Sequence, residues 1–157
     1  MSRRRLFTLG FGGALSAAAG AMALPAPANA ATSGLLFYPV MRERVYDSRS
    51  SGTGPMTAGQ ERFVQAGSQV AQHAIGIRAN LTVVAVSKSG FLGTHIDGEG
   101  WDGKSVINWS SVGEVVANEI YIPVSNAPQA GSTETAFNIV CPNGSAHVIV
   151  DVVGYFQ

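Results

Sequence analysis

Asp151 stands inside Val148-Ile149-Val150-Asp151-Val152-Val153, and a carboxylate in so apolar a run must find a cation or several donors to offset its desolvation. The distant segment Tyr46-Asp47-Ser48-Arg49 supplies a candidate partner, because the planar fork of Arg49 suits Asp151 or Asp47 bidentately. Asp47, Arg49 and Asp151 are therefore read as an ionic latch tying the first part of the domain to its last strand, in preference to a ligand or metal site. A second group lies in Asp97-Gly98-Glu99-Gly100-Trp101-Asp102-Gly103. Three carboxylates on one flexible loop meet the first requirement of a calcium site. The spacing fails it, since Trp101 stands where an oxygen ligand is wanted and the terminal Glu is missing, so no metal is expected. Trp101, held among glycines, has two open readings: a platform for a sugar ring or a partner, or a cap over one end of the fold. Trp101, Asp97, Glu99 and Asp102 are thus the candidate binding residues.

Other reactive side chains point away from catalysis. His73, His95 and His147 are too scattered for a zinc site. No Gly-x-Ser-x-Gly elbow, His-Glu-x-x-His pair or phosphate-binding glycine loop with Lys occurs. Cys141, the single cysteine, cannot form an internal bridge and reads as a small buried hydrophobe. No catalytic residue, cofactor or resident metal is expected.

The elements that must position these groups read as strands. The run 144–156 places Val148, Val150, Val152 and Phe156 on one face and His147, Ile149, Asp151, Val153 and Tyr155 on the other, the pattern of a strand inside a sheet. Residues 35–40 read as a first strand, at an edge because Pro39 cannot donate to a ladder, with a second extended piece at 43–49. Residues 50–59 have the composition of a loop, and 61–65 that of a short strand. Residues 75–86 read as an interior strand, Ser87-Lys88-Ser89-Gly90 as a turn, and 91–96 as the returning arm of a hairpin. Extended runs follow at 106–109, 115–124 and 135–141, with a loop at 125–132. Pro142-Asn143-Gly144-Ser145 carries Asn-Gly, a strong hairpin cue, and feeds the closing strand. About eight short strands without a helix predict an all-β fold, a single antiparallel β-sandwich of jelly-roll-like form.

The N-terminus predicts export. Arg3, Arg4 and Arg5 precede an apolar run through Leu24, and Ala28-Asn29-Ala30 offers small residues for cleavage after Ala30. Ser2-Arg3-Arg4-Arg5-Leu6-Phe7 resembles the twin-arginine signal, with a general secretory signal as the alternative. Residues 1–30 are read as this cleavable signal peptide and 31–157 as one β-sandwich domain with a disordered start at 31–34. The mature chain would hold 7 basic and 10 acidic side chains, a net charge of −3. That charge disfavours nucleic acid as a partner, and no membrane contact is expected after cleavage. A lone cysteine suits a protein folded before it reaches an oxidising compartment.

Taken in order, Arg44-Val45-Tyr46-Asp47-Ser48-Arg49, then Ser105-Val106-Ile107-Asn108-Trp109 with Val116-Ala117-Asn118, then Gly144-Ser145-Ala146-His147-Val148-Ile149-Val150-Asp151-Val152-Val153-Gly154-Tyr155-Phe156 resemble a recurrent secreted domain of Gram-positive, actinobacterial-type cell-surface proteins. The resemblance spans nearly all of residues 36–156. It implies an all-β, non-catalytic extracellular module, in that family often repeated or joined to cell-wall enzymes. The chain departs from the family pattern at the Trp101 loop and at Val140-Cys141. The functional expectation is a secreted or envelope-associated module that binds a cell-wall glycan or an envelope protein. A self-assembling surface subunit guarded at its edges by Pro39 and Pro123 is the alternative, and a small hydrolase using His147 or His95 a third reading.

Overall fold

The computed structural model describes residues 34–125 and 135–157, and among them there is no helix. The export signal, the start of the mature chain at 31–33 and most of the expected loop at 125–132 lie outside the described residues. Seven strands follow in order: β1 (Phe37–Asp47), β2 (Met56–Thr57), β3 (Gln60–Gln65), β4 (Gly76–Ile96), β5 (Ile107–Trp109), β6 (Val116–Pro123) and β7 (Ala136–Phe156). All pairings are antiparallel and join one sheet, so the fold is all-β as its strand-rich, turn-rich sequence predicts.

The frame is the β4/β7 pair, two strands of 21 residues each that run against one another from Gly76↔Phe156 to Ile96↔Phe137. Around one half stand β1, beside β7, and β6, beside β4; around the other stand β2 and β3, beside β7, and β5, beside β4. The two half-sheets enclose one core, to which Met56, Val64, Leu81, Leu92, Trp109, Phe137 and Val148 all belong. Strand patterning explains the closure. In the first half Ile77, Ala79, Leu81 and Val83 are buried while Arg78 is exposed and Asn80 and Thr82 half-buried, the period-two alternation of a sheet with one face on a core. In β7 the core-facing set is Phe137, Ile139 and Cys141 before residue 142 but Ala146, Val148, Val150 and Val152 after residue 145. The parity changes because the ladder is irregular there, and β4 shifts register opposite, between Val84 and Gly93.

This corrects the two hairpins expected from sequence. Residues 87–90 do not reverse the chain, and 91–96 is the continuation of the same strand rather than a returning arm. Asn143-Gly144 likewise sits within β7. Turn-type residues serve here as a kink. Gly144 has φ +99°, and a Cβ on it would come within 2.9 Å of both Gly90 Cα and the Trp109 ring. Gly90 in turn abuts Asn143 and Gly144, so two backbones cross where neither can carry a side chain. Trp109, buried beside the crossing, donates its indole N–H to Lys88 O at 2.7 Å, satisfying a carbonyl at the irregularity.

Two smaller differences follow from the same causes. The expected strands at 35–40 and 43–49 are one strand, β1, with register shifts between Pro39 and Glu43 and between Arg44 and Tyr46. It lies at the edge of the sheet, where Pro39 is tolerated. Met56, expected in a loop, is fully buried and pairs through β2 with Ala146.

Candidate functional site

The latch forms, with a different arginine. Arg44 faces Asp151 directly in the β1/β7 register and grips it with two bonds, Nε to Oδ1 at 2.8 Å and Nη2 to Oδ2 at 3.1 Å. Its Nη1 also reaches Asp47 Oδ2 at 3.3 Å. Arg49, two residues past the end of β1, folds back on Asp47 instead: Nε to Oδ1 at 2.9 Å, Nη2 to Oδ2 at 2.7 Å and its backbone N–H to Oδ1 at 3.0 Å. Of the two contacts expected for Arg49, the one to Asp47 forms and the one to Asp151 is made by Arg44 instead, giving a chain Arg49–Asp47–Arg44–Asp151. Cross-strand neighbours meet most directly; β1 passes Asp151 at Arg44 and ends opposite Ile149, so Arg49 lies beyond it. The Arg49 fork holds the Asp47 carboxyl well below the usual carboxylate range. Bonding to Asp151 raises the Arg44 guanidinium, and bonding to Asp47 raises that of Arg49. Arg44 was present in the opening motif; only the register of an irregular strand singles it out.

The same face of the sheet continues toward the ends of β4 and β7, where sequence reasoning found no site. Arg78 bonds Glu119 on β6 through Nε at 2.6 Å. Beyond it Phe37 leans over Gly154 and Tyr121 over Gly76, positions where a Cβ would strike the rings. Phe156 lies between them, 5.1 Å from Phe37 and 5.4 Å edge-on from Tyr121 by ring centroids. The Arg78 guanidinium is 5.7 Å from the Phe37 centroid, within cation–π reach. The available signal was Gly76 and Gly154 in otherwise β-branched runs, since glycine inside a strand marks a close approach.

The Trp101 loop lies on the outer face of the other half-sheet. Trp101 is half-buried, its nitrogen edge over Gly93 and its ring 6.0 Å from Phe91. Its indole N–H goes to Lys104 O at 2.9 Å. The loop braces itself: Asn138 donates to Asp97 at 3.1 Å, Glu99 N–H to Ile96 O at 3.1 Å, and Lys104 to Asp102 at 2.5 Å, which lowers the Asp102 carboxyl and raises the Lys104 ammonium. Glu99, Asp102 and Gly100 wall a cleft of about 140 Å³ with Thr94, His95, Ile96 and Pro123. Asp97 and Trp101 stand outside that wall. No group of three or more His, Cys, Asp or Glu among the described residues is arranged to hold a metal ion.

His147 and His95 have structural surroundings, whereas His73 is exposed. Ser48 is buried; its Oγ accepts the Val148 N–H at 2.9 Å and is hydrogen-bonded to His147 Nδ1 at 3.0 Å, the imidazole tautomer setting which of the two donates. A hydroxyl so enclosed is out of reach of a substrate. His95 is buried with Nδ1 3.0 Å from Ile96 O, and its Nε2 lies 3.1 Å from Glu61 without hydrogen-bond alignment. Cys141 is fully buried, with Sγ against Asn143 O at 3.2 Å, and desolvation raises its pKa above the usual thiol value. Comparison with known proteins returns no matching family model, no matching curated protein and no matching solved structure.

Proposed function

We propose that the chain is an exported, non-catalytic module that acts at the cell envelope by binding a partner, glycan or protein. The observation that carries this reading is the loop 97–104, which stands outside every strand yet is braced at several points beside an open cleft. A surface segment ordered before it meets a partner loses little conformational entropy on binding. Support for the envelope comes from the signal-like first 30 residues and from the resemblance to secreted surface domains. The hydroxyl–imidazole pair Ser48–His147 is spent on joining β1 to β7, which favours binding over hydrolysis.

Isolated Gram-positive envelope fractions sedimented with the exported chain test this reading. The chain is expected in the pellet, with release on competition by soluble envelope extract. A chain that stays entirely in the supernatant overturns it.

A further inference from the structure

We infer that the outer face of the half-sheet built from β1, β6 and the adjoining halves of β4 and β7 is a platform for a neutral polysaccharide. The inference deepens the envelope-module reading and rests on it. Two aromatic rings are left half in solvent, Phe37 at 38% and Tyr121 at 48% exposure, although each is held in place. Gly154 and Gly76 let the rings settle against the backbone, the phenol of Tyr121 donates to Ile75 O at 3.3 Å, and Phe156 buttresses both. Rings fixed before binding stack on the C–H faces of pyranoses with little ordering cost.

Charge decides the kind of ligand. Beside the rings lie Arg78 with Glu119 and, one step on, Arg44 with Asp151, each arginine matched by a carboxylate. Cancelled charge gives the face little pull on a polyanion or polycation. The side chains of Arg44, Arg78 and Glu119 nevertheless remain about half exposed, so their remaining N–H groups and oxygens are available to hydroxyls. Apolar rings next to paired, hydrogen-bonding ions match a polymer that is uncharged, polyhydroxylated and apolar on its ring faces. From Gly76 to Thr82 the strand rise gives a track of about 20 Å, room for several sugar units rather than one.

The test is calorimetric titration of the exported chain with the neutral polysaccharide fraction of Gram-positive envelopes, at low and high salt. Binding is expected to be nearly independent of salt. Phe37→Leu and Tyr121→Leu, which keep an apolar cover on the glycines, are each expected to weaken it about tenfold without lowering the melting temperature appreciably. Tyr121→Phe should bind nearly as the parent does. Unchanged affinity in both leucine variants overturns the platform, as does affinity that collapses with salt, which would mark an anionic polymer. Concentration-dependent dimerisation abolished by the same variants, without glycan binding, assigns the face to a second copy and also overturns it. No binding of the neutral fraction while the chain still sediments with whole envelopes removes the platform alone; loss of both removes the envelope reading too. Should the leucine variants not fold, ring resonances of Phe37 and Tyr121 in the parent decide, and their failure to shift during titration counts against the inference.

Discussion

On one outer face of the sheet Phe37 and Tyr121 lie over Gly154 and Gly76; on the other, Trp101 lies over Gly93. The device is shared: an aromatic ring replaces the side chain that a strand glycine lacks, shielding its backbone from water. What differs is the origin of the ring. Phe37 and Tyr121 belong to strands β1 and β6 and extend the sheet surface, leaving it open, whereas Trp101 arrives on a loop that covers the surface it touches. The Trp101 N–H is already committed to Lys104, but the strand-borne face keeps half-exposed guanidinium and carboxylate groups beside its rings. One face therefore carries a loop held by the chain's own bonds, and the other leaves rings and paired ions open beside one another.

Both faces depend on the kink between them, so the largest expected effect is there. Gly144→Val places a branched side chain at φ +99° against Gly90 and Trp109, and is expected to cost about 3 kcal/mol or more. Urea unfolding and soluble yield measure it. A variant as stable as the parent would mean that the two halves are not coupled through the crossing. The next effect belongs to the open face. Asp151→Ala leaves Arg44 without its bidentate acceptor, and is expected to cost about 1–2 kcal/mol, since half-exposed Arg44 recovers water. Double-mutant cycles sharpen this: Asp151 should couple to Arg44 and hardly at all to Arg49, and the reverse ranking would restore the Arg49 latch.

The kink and the latch also show where sequence reading stops. Burial of alternate residues in 77–83 and 146–152 was legible because apolar period-two patterning is local, and an all-β fold followed from it. Continuity of β4 and β7 was not legible. A kinked strand and a chain reversal ask for the same residues, Ser-Lys-Ser-Gly or Asn-Gly, because both need positive φ or room for a backbone; only the long-range partner tells them apart. Asp151 was recognisable as a carboxylate in need of a cation, but choosing Arg44 over Arg49 required the register of β1, which shifts on both sides of Glu43-Arg44. The Phe37–Tyr121 face was missed because its members come from the ends of four strand segments far apart in sequence.

The covered face yields a smaller effect than the latch. Gly93→Ala has no room beneath the indole, so it should dislodge Trp101 and loosen the loop without unfolding the sheet. Faster amide exchange confined to residues 97–104, with a red-shifted Trp emission, is the expected outcome. Loosening that spreads into β4 and β7 would show that the loop supports the sheet rather than merely covering it.

The smallest effect is the pH dependence of the latch. Asp47 titrates below the usual carboxylate range in the folded chain, chiefly through its bonds from Arg49, while in the unfolded chain it titrates at about 3.9. A lowered folded pKa means that the unfolded state binds the proton more tightly, so the contribution of Asp47 to stability is complete above the unfolded pKa. It is lost as pH falls from there toward the folded value. The melting temperature of Asp47→Asn should therefore lie below that of the parent at neutral pH, and the gap should narrow steadily below about pH 4. Ion pairs this exposed are screened, so the gap at neutral pH should be modest and shrink with added salt. A gap that persisted unchanged into acid would mean that Asp47 works through its shape and backbone bonds alone. The ionic row of the open face would then begin at Arg44 and Asp151.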